Sequence, residues 1–311
     1  MELSDAPPQY HRDVRRAVQF LALVRRLGWP VDRPPLLQLQ PGFLGPHRIV
    51  ESTRYYAAAM QLIGCSPRRT LNDYIAELLA DDALRRQYTR ALEQGWIGVK
   101  HQRYEDRCHL VANVVNYYAI IRELTPDVVV ETGTAAGSMT SWILAALARN
   151  GRGRLISIDL PPVAGTLTMN VSIEQERVGF LIPPAYRDRW ECIFGDARLL
   201  LAQTLIERPA DVFIHDSLHT PTHMLFEYTV ARALMRPGTL ILSDDVFSNR
   251  AWIDFLSAHR LKGLGCASSP HLGLAVNVFD ELETRAIDEA ANRIRVPATR
   301  AVVDGRLHHP H

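Results

Sequence analysis

Apolar residues follow a helical pattern along the first third of the chain. Arg15–Leu27 carries apolar positions at helical spacing, and prolines and glycines interrupt the pattern between residues 30 and 47. A cap-like sequence that begins at Thr70 precedes another stretch with helical spacing. We therefore predict that residues 1–100 form a helical N-terminal extension, which either pairs subunits or covers a substrate pocket.

The pattern changes near residue 105, where short apolar runs begin to alternate with amphipathic stretches. The runs are rich in β-branched residues, as is typical of strands that are buried on both faces of a sheet. Five runs are predicted as strands and a sixth as a late edge strand: 127–130, 155–158, 190–194, 211–214, 239–242 and 274–279. The predicted helices are 110–124, 138–148, 198–207, 222–235 and 251–259. This alternation predicts an α/β fold with a doubly wound, mostly parallel sheet.

The sheet pattern fills residues 101–280, which we predict to be one ligand-binding domain. Residues 281–311 are expected to form a C-terminal helix and a polar tail. Inside the domain, residues 160–189 form a long excursion with a Pro-Pro pair near each end. Because excursions of this length are commonly functional, we predict a substrate cover here, with a helix near residues 172–178.

Composition narrows the class of protein. The chain has 311 residues, 47% hydrophobic and 22% charged, with a formal net charge of +1. These values are typical of a globular protein, and the near-neutral charge argues against nucleic acid as the main partner. Four scattered cysteines without a CxxC pair favour a reduced, cytoplasmic protein without a zinc site. No apolar run approaches the roughly 20 residues of a membrane span, so no membrane is expected as a partner.

A turn of small residues follows the first predicted strand, in the sequence Glu131-Thr-Gly133-Thr-Ala-Ala-Gly137-Ser138. Such residues let the backbone approach a ligand closely, and the next helix presents free N–H groups. The glycine spacing is G-x-x-x-G rather than G-x-G-x-x-G, and no Gly-Lys-Ser/Thr follows. Nicotinamide or P-loop phosphate binding is therefore disfavoured.

Acidic residues follow the second and third predicted strands. Asp159 lies 22 residues after Gly137, where a carboxylate can accept two hydrogen bonds from a ribose diol. The third strand leads into Gly195-Asp196-Ala197, which places a polar group near a base edge. Each feature alone has a simpler reading, as a turn or a helix cap, but their order and spacing together favour a nucleoside-type ligand.

These motifs resemble those of class I S-adenosylmethionine-dependent methyltransferases. Downstream, Phe213-Ile-His-Asp216-Ser-Leu-His219-Thr and Leu242-Ser-Asp244-Asp245-Val246 resemble the metal-dependent small-molecule O-methyltransferases. That group includes catechol-type enzymes and enzymes that methylate sugars or phenols in bacterial natural-product pathways. The resemblance covers roughly residues 95–280.

The resemblance implies a Rossmann-like methyltransferase sheet and a set of cofactor contacts. Glu131 would shape the methionine end of S-adenosylmethionine, Asp159 would hold the ribose, and Asp196 would lie beside the adenine amino group. The remaining predicted cofactor-binding residues belong to the same two turns: Gly133, Gly137, Ser138 and Ala197. The acceptor would be the hydroxyl of a small molecule, and the chain is expected to form a homo-oligomer, a dimer.

The residues themselves also favour a metal. Asp216 ends the fourth predicted strand, and Asp244 and Asp245 end the fifth. Neighbouring strands lie about 4.8 Å apart, so these carboxylates should converge. Such a cluster must take up protons or hold a cation, and hard oxygen ligands favour Mg²⁺. The competing reading, that these aspartates cap the next helices, is weakened because both helices begin several residues later.

His219 is the predicted general base. It lies three residues after Asp216, where catechol-type enzymes place a lysine, and so departs from their pattern. The ordinary pKa of histidine, about 6.5, suits proton abstraction near neutral pH. His215 and His223 are competing candidates, of which the first is expected to pack at the strand end and the second to lie on the next helix.

Three other functions stay open at this point. The chain could be a cyclase or rearrangement enzyme that binds S-adenosylmethionine without transferring its methyl group. It could also be a Rossmann oxidoreductase, which the glycine spacing disfavours, or a non-catalytic binding module. Release of S-adenosylhomocysteine, nicotinamide binding and the absence of cofactor binding would distinguish them.

Overall fold

The computed structural model describes residues 47–50, 52–97, 103–110, 112–160, 175–266 and 272–279. All of the helices and strands below lie within one unit of the chain, Met1–Asn277. The strands are β1 His47–Val50, β2 Val128–Thr132, β3 Arg154–Asp159, β4 Trp190–Phe194, β5 Val212–His215, β6 Leu240–Ser243, β7 Gly263–Cys266 and β8 Gly273–Val276. The helices are α1 Ser52–Ile63, α2 Leu71–Leu79, α3 Asp82–Glu93, α4 Tyr104–Leu110, α5 Ala112–Leu124, α6 Ser138–Asn150, α7 Ala197–Glu207, α8 Pro221–Leu234 and α9 Ala251–Ala258.

The strands form one sheet of eight, in the order β1-β7-β8-β6-β5-β2-β3-β4. Every pairing is parallel except the two made by β8, which runs antiparallel to β6 and β7. Because the other strands run the same way, their carboxyl ends lie along one edge of the sheet. The predicted mostly parallel, Rossmann-like α/β sheet is confirmed.

Helices cover both faces of the sheet, which explains why the central strands are mostly apolar. Alternate residues point to opposite faces, so that Val129 and Leu155 pack in one core while Val130 and Ile156 pack in the other. The first core also holds Tyr117 of α5, and the second is built largely from α7, α8 and α9. Among the described residues, no helix is both long enough and apolar enough to span a membrane.

The first five predicted strands lie within about two residues of their predicted positions, and the sixth also forms, but its predicted place at the edge of the sheet was wrong. Gly273–Val276 lies inside the sheet, between β6 and β7, because β7 and β1 extend the sheet beyond it. The sequence of β7, Gly-Leu-Gly-Cys, has no β-branched residue, so its apolar pattern was not read as a strand. Gly263 lets Leu256 pack closely against the strand, since a Cβ at this position would lie 2.2 Å from Cδ1 of Leu256.

The predicted helix after Thr70 is confirmed, because Thr70 and Asp73 form a capping box at the start of α2. In the excursion, short 3₁₀ helices occupy Gln175–Arg177 and Pro184–Arg189. The predicted helix Arg15–Leu27 and the proposed C-terminal helix lie outside the described residues, as does most of the proline-rich connector. The boundary at residue 100 stays a prediction, although β1 from that region pairs with β7.

Candidate active site

The glycine turn after β2 is held tightly by backbone packing. Gly133 has a φ of +86°, and a Cβ there would lie 2.1 Å from the carbonyl oxygen of Asp216. Gly137, with a φ of +81°, is the N-cap of α6, and its Cβ would lie 2.9 Å from the Cα of Gly179. Both positions need glycine for conformation and for space. Because Gly133 and Gly137 have no side chains, the glycine turn packs closely against the start of the β5–α8 loop and against the excursion.

Glu131 is fully buried at the carboxyl end of β2. Its carboxyl group accepts hydrogen bonds from Thr140 Oγ1 at 3.0 Å and from Ser157 Oγ at 2.7 Å. Burial raises the pKa of Glu131 to about 8, with a smaller contribution from the negative charge of Asp159, against the two hydrogen bonds. Glu131 is therefore protonated at neutral pH and connects β2, β3 and α6. Its contact with a cofactor stays a prediction.

Asp159 ends β3 and faces the glycine turn. Its Oδ2 accepts a hydrogen bond from the backbone N–H of Ala135 at 3.1 Å. Burial raises the pKa of Asp159, and the backbone N–H groups around it oppose that effect. The structure thus places the Asp159 carboxylate beside the glycine turn, so both could contact one ligand. Its contact with a ribose stays a prediction.

The second turn combines a helix cap with the predicted base-edge position. Asp196 is the N-cap of α7 and accepts a hydrogen bond from the backbone N–H of Arg198 at 2.8 Å. The Arg198 guanidinium also pairs with this carboxylate and lowers its pKa. Ala197 is buried at the first position of α7. The capping role is shown, and an adenine contact stays a prediction.

Ser138 begins α6 and has a partner that the sequence did not indicate. Its Oγ accepts a hydrogen bond from Nη2 of Arg107, on α4, at 2.9 Å. The guanidinium of Arg107 also lies 5.4 Å from the ring centroid of Tyr88. No motif marks Arg107 in the sequence, because only the packing of α4 against the sheet domain brings it to the turn.

The predicted acidic residues converge at the carboxyl ends of β5 and β6. The carboxyl groups of Asp216 and Asp244 are close enough to affect each other's ionisation. Burial raises the pKa of Asp216 well above its ordinary value, and the neighbouring carboxyl groups of Asp244, Glu131 and Asp245 raise it further. Asp245 adopts a φ of +48°, an uncommon value for a residue with a side chain.

His219 lies between two of these carboxylates. Its Nδ1 is 3.5 Å from Oδ2 of Asp245, and its Nε2 is 3.8 Å from Oδ1 of Asp216. Nε2 is buried and has no hydrogen-bond partner among the described residues. Burial and the neighbouring His215 lower the pKa of His219, more than Asp245 and Glu227 raise it. The imidazole is therefore neutral at neutral pH, as a general base must be.

The fit of the acidic cluster to a metal ion is partial. Carboxylate oxygens and an imidazole are suitable ligands, and a pair of carboxyl groups that shares a proton can exchange that proton for a cation. Within the described parts of the chain, no group of three or more His, Cys, Asp or Glu residues is arranged to hold a metal ion. The ligands are thus chemically suitable and close together, without being ordered around one point.

The sequence analysis missed Glu227, on α8, as a member of this region. Glu227 is fully buried and accepts hydrogen bonds from both histidines that competed with His219. Its spacing of four residues from His223 on a predicted helix was the available signal. The contact with His215 depends on how α8 packs on β5 and has no signal in the sequence.

Comparisons with known proteins agree with the motifs. Residues 130–246 match a sequence family described as "Methyltransferase domain". The matched range begins one residue before Glu131 and ends one residue after Asp245, so it includes every predicted site residue. The resemblance to methyltransferases is thereby confirmed over this stretch. No curated protein matches the chain.

The solved structures that match the chain are distant from it in sequence. A cofactor-bound protein from MTB is 16% identical, with a TM-score of 0.47 over 69% of this chain and 99% of its own. An O-methyltransferase from Bacillus cereus in complex with SAH is 16% identical, with a TM-score of 0.45 over 66% and 96%. The O-methyltransferase TomG from Streptomyces achromogenes, involved in tomaymycin synthesis and solved with SAM, is 16% identical, with a TM-score of 0.43 over 74% and 100%.

Proposed function

We propose that this chain transfers a methyl group from S-adenosylmethionine to a hydroxyl of a small molecule, with the help of a divalent cation. One observation carries the proposal. Within the stretch that matches a methyltransferase domain, the carboxyl groups of Asp216 and Asp244 and the imidazole of His219 meet beside the glycine turn, at the carboxyl ends of the strands. In open α/β sheets, ligands bind outside the carboxyl ends of the strands.

When bound, S-adenosylmethionine would supply a methyl group on a sulfonium. The acceptor oxygen would bond to the methyl carbon as the carbon–sulfur bond breaks and S-adenosylhomocysteine leaves. The protein's part is to hold the cofactor, orient the acceptor and take its proton. The glycine turn and Asp159 would bind the cofactor, as the resemblance implies. His219 would take the proton at Nε2, because Nε2 has no hydrogen-bond partner among the described residues and Nδ1 faces Asp245. A bound, oriented acceptor lowers the entropic part of the barrier.

The proposal includes a divalent cation at the acidic cluster. Mg²⁺, or another divalent ion, would be held by Asp216, Asp244 and Asp245, and it would lower the pKa of the acceptor hydroxyl. The raised pKa of Asp216 supports this placement, because a cation would relieve the repulsion that now favours the protonated form. The ligands would have to close around the ion, since they are not ordered around one point here.

The class of acceptor, the oligomeric state and the location in the cell are proposed mainly from the sequence. We propose a natural-product intermediate as the acceptor, in line with the resemblance. We propose a homodimer, which light scattering on the purified chain would test. We also propose a cytoplasmic location, since none of the four cysteines, all within the described residues, forms a disulfide.

Methyl-labelled S-adenosylmethionine provides the test. The chain would be incubated with a panel of catechols, phenols and sugars, with Mg²⁺ or with a chelator. We expect label in an acceptor, one S-adenosylhomocysteine released per methyl transferred, and loss of transfer with the chelator. Binding of the cofactor without any released S-adenosylhomocysteine would contradict methyl transfer. Full activity in the chelator would contradict the cation while leaving methyl transfer intact.

A further inference from the structure

Glu227 is a buried carboxylate with four side-chain hydrogen bonds. It lies in the middle of α8 with no exposed surface. Oε2 accepts from Thr132 Oγ1 at 2.6 Å and contacts His215 Nδ1 at 2.5 Å. Oε1 accepts from Ser217 Oγ at 2.9 Å and contacts His223 Nε2 at 2.8 Å. One side chain thus joins the ends of two strands, the loop after β5 and its own helix.

These contacts surround Asp216. His215 and Ser217 are its two neighbours in the chain, and both are bonded to Glu227. Thr132, the third partner, ends β2, and its carbonyl oxygen accepts the backbone N–H of Asp216 at 2.9 Å. The position of Asp216 is therefore fixed from three sides by groups that Glu227 holds.

The same contacts extend to His219. The ring of His215 packs edge-on against the ring of His219, with the centroids 5.3 Å apart and the planes at 67°. With Nδ1 bonded to Glu227, the Nε2 of His215 is buried and has no hydrogen-bond partner in the described part of the chain. A change in the orientation of the His215 ring would therefore displace the ring of His219, the proposed base.

Glu227 is held as a charged group in spite of its burial. Burial alone would raise the pKa of this carboxyl, but the neighbouring His215 and the hydrogen bonds lower it to about 2. A buried network of charged groups is weak evidence that it stabilises the protein. Replacing such a network with apolar residues of similar size often leaves the stability of the protein unchanged or raises it. In some proteins, such a network serves instead to fix a geometry.

We infer that Glu227 is a positioning residue for methyl transfer, which holds Asp216 and His219 in place through Thr132, His215 and Ser217. The inference rests on the function proposed above. Glu227 touches neither cofactor nor acceptor, so it would act only through the residues that it binds.

Glu227→Gln, with Glu123→Gln as a matched control, would test this role. Glu123 is also a buried carboxylate whose hydrogen bonds hold its pKa at about 2 despite burial. It accepts from Tyr56, Tyr74 and Arg68, near the amino end of β2. Both substitutions keep the shape of the side chain and remove one buried charge. We expect both variants to melt at a lower temperature than the wild type.

The two variants should differ in turnover and in their histidine spectra. We expect kcat of Glu227→Gln to fall about 100-fold, as a misplacement of about 1 Å would cause, with an unchanged affinity for S-adenosylhomocysteine by calorimetry. Glu123→Gln should keep the wild-type kcat. In side-chain NMR spectra, the ring resonances of His219 should shift in Glu227→Gln and stay in place in Glu123→Gln. Ser217→Ala, which removes one bond and no charge, should lower kcat less and serves if Glu227→Gln does not fold.

The possible failures can be told apart. Wild-type kcat and unshifted His219 resonances in a folded Glu227→Gln variant would overturn the positioning role and leave the proposed function intact. An equal loss of kcat in both variants would overturn it as well, since the effect would then be one of stability. Wild-type protein that methylates no acceptor would overturn the proposed function, while the spectra would still decide whether Glu227 controls His219.

Discussion

Aspartates lie at both ends of the parallel strands, but their electrostatic surroundings are opposite. We call the two sides of the sheet the amino edge and the carboxyl edge, after the strand ends that lie there. At the amino edge, Asp127 pairs with Arg152, and Asp211 pairs with Arg236 at 2.7 Å. A cleft of about 540 Å³ opens between these pairs, but its charges are already balanced. At the carboxyl edge, Asp216 lies among carboxylates without an arginine bonded to it in the described residues, and its pKa is raised.

This difference teaches which edge can do chemistry. An aspartate bonded to an arginine is stably ionised, as shown by the lowered pKa of Asp127 beside Arg152. A carboxyl group crowded by other carboxyl groups gains from a cation or a proton, and perturbed pKa values of this kind cluster at functional sites. The size of a cleft is therefore a poorer guide here than the balance of charge.

The largest expected effect comes from removing one carboxylate at the carboxyl edge. Asp244→Asn should lower kcat about 1000-fold, because the proposed cation would lose a ligand, and should spare cofactor binding. Asp211→Asn, at the amino edge, should lower the melting temperature and leave kcat unchanged. Steady-state kinetics and calorimetry would check both. Equal kcat values in the two variants would remove the distinction between the edges.

A smaller loss is expected when the base is removed. His219→Ala should lower kcat about 100-fold, since general base catalysis contributes at least that much in most enzymes. Added imidazole should restore part of the activity by entering the space that the ring leaves. Activity that falls but does not respond to imidazole, at constant cofactor affinity, would indicate that another residue takes the proton.

The cofactor contact is expected to be weaker still. Asp159→Asn should weaken binding of S-adenosylhomocysteine about 30-fold, corresponding to about 2 kcal/mol for hydrogen bonds to a charged group. Asp127→Asn, at the opposite edge, should leave this affinity unchanged. Isothermal calorimetry on both variants measures the difference. Wild-type affinity in Asp159→Asn would separate this residue from the cofactor site.

The smallest effects concern stability against pH, where two buried glutamates should act in opposite directions. The pKa of Glu131 is about 8 when folded, above its ordinary value, so its contribution to the free energy of unfolding is lost as the pH rises from about 4.5 to 8. The pKa of Glu123 is about 2, below its ordinary value, so its contribution is lost as the pH falls from about 4.5 to 2.

Thermal unfolding between pH 3 and pH 9 would measure these two slopes. Glu131→Gln should reduce the loss of stability on the alkaline side, since the amide can still accept from Ser157 and Thr140. Glu123→Gln should reduce it on the acid side. A shift of both variants on the same side would contradict the assignment of opposite charge states.

The sequence predicted the elements whose pattern is local. The strands at 128–132 and 240–243 each begin with a run of three β-branched or apolar residues, and they form where the pattern indicates. The strand at 47–50 pairs with the strand at 263–266, more than 200 residues away. Neither segment carries a strong strand pattern by itself, so only the folded sheet reveals this edge and the interior place of β8.

The candidate site was predictable where its residues follow strand ends, and not where helix packing places them. Asp216, Asp244 and His219 follow strand ends, so the rule that ligands bind at carboxyl ends brings them together. The positions of Glu227 and Arg107 depend on the packing of helices onto the sheet, which leaves no periodic signal. The cap at Asp196 was an open alternative in the sequence, because an acidic residue before a helix serves both roles.

A crystal structure of the chain with S-adenosylhomocysteine and Mn²⁺ would test the central claim most directly, since Mn²⁺ is located by its anomalous scattering. The account predicts the nucleoside beside Asp159 and one strong anomalous peak bonded to Asp216 and Asp244. Nucleoside bound away from the carboxyl edge, or a peak at the amino edge between Asp127 and Asp211, would contradict it.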